Sequence, residues 1–79
     1  MKNVDVIAFV DNLIEGKDCV AIIEDLFHFV PRGDLNYYSL LIAGFARVAG
    51  YMQIEQRHSE HKAMIDTINV FIALRDLDD

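Results

Sequence analysis

The chain has 79 residues, of which 53% are hydrophobic, and its 13 acidic and 7 basic side chains give a net charge of −6. This charge opposes binding to a nucleic-acid backbone, which needs a basic surface, and the single cysteine excludes an internal disulfide. A chain this short has a small core, which cannot hide all of these apolar side chains, and a second copy can cover the rest. We therefore expect a homodimer. The N-terminus lacks the features of a secretion signal, and a lone cysteine fits a reducing compartment, so we expect a cytoplasmic protein.

Two short helices are predicted over residues 4–15 and 19–30. Asn3 or Asp5 can cap the first helix and Asp18 the second, because their side chains can accept hydrogen bonds from the free amides of the first turn. Pro31 ends the second helix, since the residue before a proline is pushed out of the helical region. Both segments carry apolar residues at helical spacing, which predicts one buried face on each.

A third helix is predicted over residues 35–55, with Asp34 as its cap. The run from residue 35 to residue 54 contains one charged side chain, Arg47. Its apolar residues recur at spacings of three and four, which predicts a stripe that faces the core. The stripe consists of Tyr38, Leu41, Phe45, Val48 and Met52.

The other faces of the third helix differ in character. Ala43, Ala46 and Gly50 carry little side-chain bulk, which predicts that a neighbouring helix packs closely against them. Arg47 and Tyr51 are one turn apart, so the guanidinium can lie over the ring. A central arginine costs about 2.5–3.5 kcal/mol in a bilayer, so we predict no membrane span.

A fourth helix is predicted over residues 60–76, after a turn near residues 56–60. All eight side chains of residues 55–62 are polar, and Ser59 can cap the new helix. The helix carries apolar residues on about two faces, more than one intramolecular neighbour covers. We therefore expect Val70, Phe71 and Leu74 to form a dimer interface. The acidic tail is unfavourable at a helix C-terminus, and we expect it to fray.

These elements predict the fold class. The sequence contains no alternating strand pattern, and four helices with short connectors are typical of a bundle. We therefore predict one all-α domain over residues 1–79, a small antiparallel bundle of about four helices.

One alternative function is a metal-binding bundle. Glu55, His58 and His61 are spaced by three, so on a continuous helix they would project from roughly one side, and Glu-x-x-His occurs in di-iron bundles. His28 on the second helix is a further candidate ligand. The surrounding segment is the most polar in the chain, whereas such ligands must point inward, so a solvated connector is favoured and no cofactor is predicted.

A second alternative is a dimeric DNA-binding regulator. Ala46 and Gly50 have the four-residue spacing of a helix-turn-helix, in which the next segment supplies a basic reading helix. Here that segment contains Glu55 and Glu60 beside Arg57 and Lys62, which disfavours DNA binding.

The leading hypothesis is a small, acidic, non-enzymatic module that binds a protein partner as an inhibitor, adaptor or modulator. No sequence feature indicates catalysis. Residues 1–34 carry seven acids and three bases, a net −4 of the total −6, so the first two helices should attract a partner with a basic surface. The candidate contact residues are Asp11, Glu15, Glu24, Asp25, Arg47 and Tyr51, joined by the tail acids Asp76, Asp78 and Asp79.

Overall fold

Four helices make up most of residues 5–13 and 18–78, the part of the chain that the computed structural model describes. They are α1 (Val6–Leu13), α2 (Cys19–Phe29), α3 (Tyr37–Ile54) and α4 (His58–Asp78), and no strand occurs within these described ranges. The predicted all-α class with four helices is confirmed. The antiparallel arrangement, the single domain and the homodimer remain predictions.

The first two helices begin at predicted caps. The Oδ1 atom of Asp5 accepts a hydrogen bond from an amide in the first turn of α1 at 3.0 Å, and Oδ1 of Asp18 does the same for α2 at 3.2 Å. Each bond satisfies an amide that the helix itself leaves free. Asn3, the other candidate cap, lies outside the described residues. As predicted, α2 ends before Pro31.

The start of α3 differs from the prediction. Asp34 does not cap the helix; its Oδ1 atom accepts from the amide of Asn36 at 2.7 Å. Aspartate commonly forms this local turn with the amide two residues on. Because the turn occupies residues 34–36, α3 begins at Tyr37, and Leu35 remains 98% exposed.

A tight turn joins α3 to α4 near the predicted position. The Gln56 backbone is left-handed, with φ of 60°, and its amide donates to the Gln53 carbonyl at 3.1 Å while that of Arg57 donates to Met52 at 2.8 Å. These two bonds satisfy the last carbonyls of α3 in the manner of a Schellman cap. The turn is shorter than predicted, so α4 begins at His58, and it continues to Asp78 rather than residue 76.

The core is built around α3. Among the described residues, α3 packs against each of the other three helices. The buried residues of α3 are Leu41, Gly44, Phe45, Val48, Ala49 and Met52. The other buried side chains in the part of the chain that the structure describes are Val6, Val10, Ile22, Leu26, Val30 and Met64.

A side chain of α2 packs tightly against a glycine of α3 that the sequence did not single out for this. A Cβ atom added to Gly44 would lie 2.4 Å from Cδ2 of Leu26 on α2. The predicted small face of α3 is different: Ala43 is partly buried, but Ala46 is exposed, and a Cβ at Gly50 would meet no atom of the described residues within 4 Å. The prediction that a neighbouring helix packs against Ala46 and Gly50 is therefore wrong.

No helix in the described ranges is both long enough and apolar enough to cross a lipid bilayer.

Candidate functional site

Three of the predicted contact residues meet at the surface between α1 and α3. Arg47 donates two hydrogen bonds to the carboxylate of Asp11, from Nε at 2.8 Å and from Nη2 at 3.1 Å. The Tyr51 hydroxyl donates to Oδ1 of the same carboxylate at 3.1 Å. The guanidinium also lies over the Tyr51 ring, 5.3 Å from its centroid, as the sequence predicted. We call these three residues the Asp11 cluster.

The electrostatics of the Asp11 cluster follow from this geometry. The Arg47 hydrogen bond, assisted by the Tyr51 hydroxyl and the arginine charge, lowers the pKa of Asp11 below its usual 3.8. The same pairing raises the pKa of Arg47. A bidentate pair fixes the orientation of both side chains. The sequence predicted that Asp11 would help to attract a basic partner, but its carboxylate already forms an ion pair with Arg47.

A shallow groove lies beside the cluster along α3. Ala46, Gly50 and Ile54 line it together with Arg47 and Tyr51, and it encloses about 220 Å³. Ile54 stands 78% exposed at one end. We call this feature the α3 groove. It occupies the face where the sequence predicted a packed helix, and among the described residues only side chains of α3 line it.

A second groove lies between the start of α2 and the first turns of α4, with a volume of about 260 Å³. Most of its wall is apolar, with Val20 and Ile23 on α2 and Ala63 and Met64 on α4, and Asp18, Glu60 and Thr67 complete the lining. We call it the α2–α4 groove. Sequence periodicity could not predict it, because both walls look like ordinary helix faces.

The three predicted dimer residues occupy different environments. Phe71 is partly buried, with its ring centroid 5.3 Å from that of Phe45, 5.9 Å from that of Phe27 and 6.1 Å from that of Tyr38. It therefore contributes to an intramolecular aromatic cluster. Val70 and Leu74, in contrast, are exposed. The dimer itself remains a prediction.

The other acidic residues predicted to attract a basic partner differ in their exposure. Glu24 is exposed on α2, whereas Asp25 is partly buried. Asp76 is exposed beside Arg75, with 3.9 Å between Oδ1 and Nε. Glu15 and Asp79 lie outside the described residues, as does the side chain of Asp78.

The candidate metal ligands do not converge. His61 is oriented by the fold, with Nδ1 2.9 Å from the carbonyl oxygen of Ala49 on α3. His58 and His28 are exposed on different helices, and Glu55 caps the end of α3. Among the described residues, no three His, Cys, Asp or Glu side chains form a group that could hold a metal ion. The turn at Glu55–Arg57 breaks the continuous helix that the metal hypothesis required.

The basic side chains at the start of α4 are paired with carboxylates. Arg57 forms a two-bond ion pair with Glu60, one bond of which is 2.8 Å, and Lys62 lies 3.4 Å from Asp66. In the DNA-binding hypothesis these cations would contact phosphates. Their pairing gives that hypothesis no support.

Comparisons of the chain with protein families, curated protein sequences and solved structures found no match. The case for a function therefore depends on the surface features described above.

Proposed function

We propose that this protein is a small non-enzymatic protein–protein interaction module that acts as an inhibitor, adaptor or modulator of a partner with a basic surface. The observation that carries the proposal is the α3 groove, an open apolar depression bordered by Arg47 and Tyr51. Arginine and tyrosine are enriched among the residues that dominate binding energy at protein interfaces. Here both lie beside a depression that an apolar side chain can fill.

The Asp11 cluster supports the proposal because it orders the two anchors in advance. Fixing a flexible side chain on binding costs about 0.5–1.5 kcal/mol. Arg47 is already held by two hydrogen bonds to Asp11, and Tyr51 by one. A partner that binds here has less ordering to impose.

The shape of the groove indicates the kind of segment it would accept. Ala46 and Gly50 leave its floor open, so a partner backbone can approach α3 closely. The volume of about 220 Å³ suits one or two aliphatic side chains. A helix with apolar residues one turn apart, flanked by lysine or arginine, matches both this groove and the acidity of the protein.

The net charge of −6 supports the choice of a basic partner. Complementary charge accelerates encounter, whereas desolvated apolar contacts and well-ordered anchors slow dissociation. Glu24 is exposed on α2 and is positioned to contribute to such steering. The α3 groove would then retain the partner.

The first experiment locates the contact surface. A photo-crosslinking amino acid is placed at Ile54 in the α3 groove and, as a control, at Ile65 on α4, which is also exposed. A partner should crosslink at position 54 and not at position 65, and its contacting peptide should be basic. Equal crosslinking at both positions would contradict the proposed surface.

The second experiment measures the anchors with the crosslinked partner. Tyr51→Ala should weaken binding about 30-fold or more, mostly through faster dissociation, as for an interface hot spot. Ile65→Ala is the control and should leave affinity unchanged. An unaffected affinity in Tyr51→Ala would remove the α3 groove from the interface.

The third experiment separates the effect of charge on the association rate from the effect of apolar contacts on the dissociation rate. Raising salt from about 50 to about 500 mM should slow association far more than it accelerates dissociation, through screening. The pair Glu24→Gln and Asp25→Asn should reproduce part of that loss without unfolding the protein. Association that responds to neither change would mean that the acidity serves solubility alone.

A further inference from the structure

A second surface, on α4, has the pattern of a helix-pairing seam. Ala63, Thr67, Val70, Leu74 and Leu77 are spaced alternately by four and three, which places them on one side of the helix. Val70 is 57% exposed and Leu77 83% exposed. We call these five residues the α4 stripe. It shares no residue with the α3 groove.

The side chains of the α4 stripe change size along the helix. Its N-terminal half carries the small Ala63 and Thr67, its C-terminal half the larger Leu74 and Leu77, and Val70 lies at the midpoint. A stripe of this kind is complementary to itself when two copies run in opposite directions. Each leucine then faces a small residue, and the two copies of Val70 meet.

We propose that the α4 stripe binds the α4 stripe of a second copy of this chain, antiparallel, about a twofold axis at Val70. Such an interface is isologous, so every contact away from the axis is made twice. This inference goes beyond the proposed function and does not depend on it.

The α2–α4 groove gives the outer leucines of the second copy a place to bind. Ala63 and Thr67 belong both to the stripe and to the wall of this groove, opposite Val20 and Ile23 on α2. In the antiparallel pairing, Leu77 of the partner lies over Ala63 and can insert between α2 and α4. The groove of about 260 Å³ is large enough for an aliphatic side chain.

The polar residue within the α4 stripe tolerates the pairing. Thr67 can be covered without losing a hydrogen bond, because its hydroxyl donates to the Ala63 carbonyl of its own helix at 2.9 Å. Lys62 and Asp76 lie on the same flank of the stripe, near opposite ends of α4. An antiparallel pair brings Lys62 of one copy, which lies 3.4 Å from Asp66 of its own helix, level with Asp76 of the other, where it can also attract that carboxylate.

A parallel pair would fit less well. It would place Ala63 against Ala63, leaving a gap, and Leu77 against Leu77. It would also bring together the two acidic C-terminal segments, whose like charges repel. The charge and size gradients along α4 therefore both favour the antiparallel pair.

The oligomeric state is the first test, measured by sedimentation equilibrium between about 5 and about 200 µM. The wild-type protein should approach twice its monomer mass of 9.0 kDa, while Val70→Glu should remain a monomer. Ile65→Glu, on the opposite side of the same helix and also exposed, is the matched control and should still dimerise. Far-UV circular dichroism checks that all three proteins fold.

Two outcomes of this measurement would overturn the proposal. One is a wild-type monomer at every concentration. The other is a dimer that Val70→Glu leaves intact, because the interface would then lie elsewhere. Salt provides an independent check: two copies each carrying −6 repel, so raising salt should strengthen the dimer, whereas it should slow capture of a basic partner.

The direction of pairing is tested by changing residue size. Leu77→Ala should weaken the dimer at least tenfold, because a buried leucine is lost at two sites. In the antiparallel pair, Ala63→Leu should also weaken it, by about tenfold, since the new side chain collides with Leu77 of the partner. In a parallel pair Ala63→Leu would fill the gap and strengthen the dimer, a result that would overturn the antiparallel assignment.

Discussion

The two longest helices, α3 with 18 residues and α4 with 21, bury their apolar residues to very different extents. Six residues of α3 are buried, whereas Met64 is the one side chain of α4 in the described core. One cause is position: α3 packs against all three other helices, whereas α4 packs mainly against α3. α3 is also the more apolar of the two helices, so its greater burial reflects both its composition and the number of its neighbours.

The difference suggests a division of roles between the two helices. α3 supplies the fold with its core, and one remaining face carries the α3 groove. α4 covers part of α3 through Met64 and the Phe71 ring and leaves the α4 stripe exposed. Substitutions can test this division of roles, because replacing a core residue of α3 should lower the free energy of unfolding more than replacing an exposed residue does.

The largest effect is expected in the core of α3. Phe45 is fully buried and its ring lies 5.7 Å from that of Phe27, so Phe45→Ala should lower the free energy of unfolding by about 3–5 kcal/mol. Urea denaturation followed by circular dichroism measures the change. That loss can unfold so small a domain, in which case Phe45→Leu gives a measurable intermediate value. The exposed Gln53→Ala is the control, and a near-neutral Phe45→Ala would remove α3 from the centre of the core.

The next effect distinguishes two glycines on α3. The added methyl of Gly44→Ala collides with the buried Leu26, whereas that of Gly50→Ala meets no atom of the described residues within 4 Å. Both substitutions gain the same helix propensity, roughly 1 kcal/mol. Their difference, about 1–3 kcal/mol in favour of Gly50→Ala, therefore reports overpacking at Gly44 alone. Equal stabilities in thermal and urea unfolding would mean that α2 does not approach α3 at Gly44.

A smaller effect concerns the two histidines at the start of α4. His61 faces the Ala49 carbonyl across the α3–α4 interface, at 2.9 Å, whereas His58 is exposed. His61→Ala should therefore destabilise the protein by about 0.5–1.5 kcal/mol, while His58→Ala should be near neutral. Equal losses from both substitutions would show that the contact with Ala49 contributes nothing.

The smallest effect is the pH dependence of the link between α1 and α3. The folded-state pKa of Asp11 lies below its ordinary 3.8, so its contribution to stability is complete above that value. The contribution is lost as the pH falls through the lower, folded-state pKa. The stability difference between wild type and Asp11→Asn should therefore be constant from pH 7 to about pH 5 and shrink below about pH 4. Glu24→Gln controls for the change in net charge, and a difference that persists unchanged at low pH would contradict the link.

Much of the secondary structure could be read from local sequence. Asp5 and Asp18 cap their helices because a cap needs only a side chain and amides two or three residues away. The stripe containing Phe45 identified the buried side of α3, since its spacing is fixed by the helix itself. Even the ion–ring pair of Arg47 and Tyr51 was predictable, because these residues are one turn apart. Asp34 shows the limit of this reasoning, since a competing local turn delayed the start of α3.

The tertiary structure alone decided which faces are covered. The bond between Asp11 and Arg47 joins residues 36 positions apart, and no helical periodicity reports such a distance. The same holds for which glycine of α3 contacts α2: Leu26 packs against Gly44 and not against Gly50, although both are glycines on one helix. Local sequence determines where a helix begins and which sides are apolar, because those depend on neighbours within a turn or two. Whether an apolar side becomes core or binding surface depends on how many other helices reach it, and that is settled only when the whole chain packs.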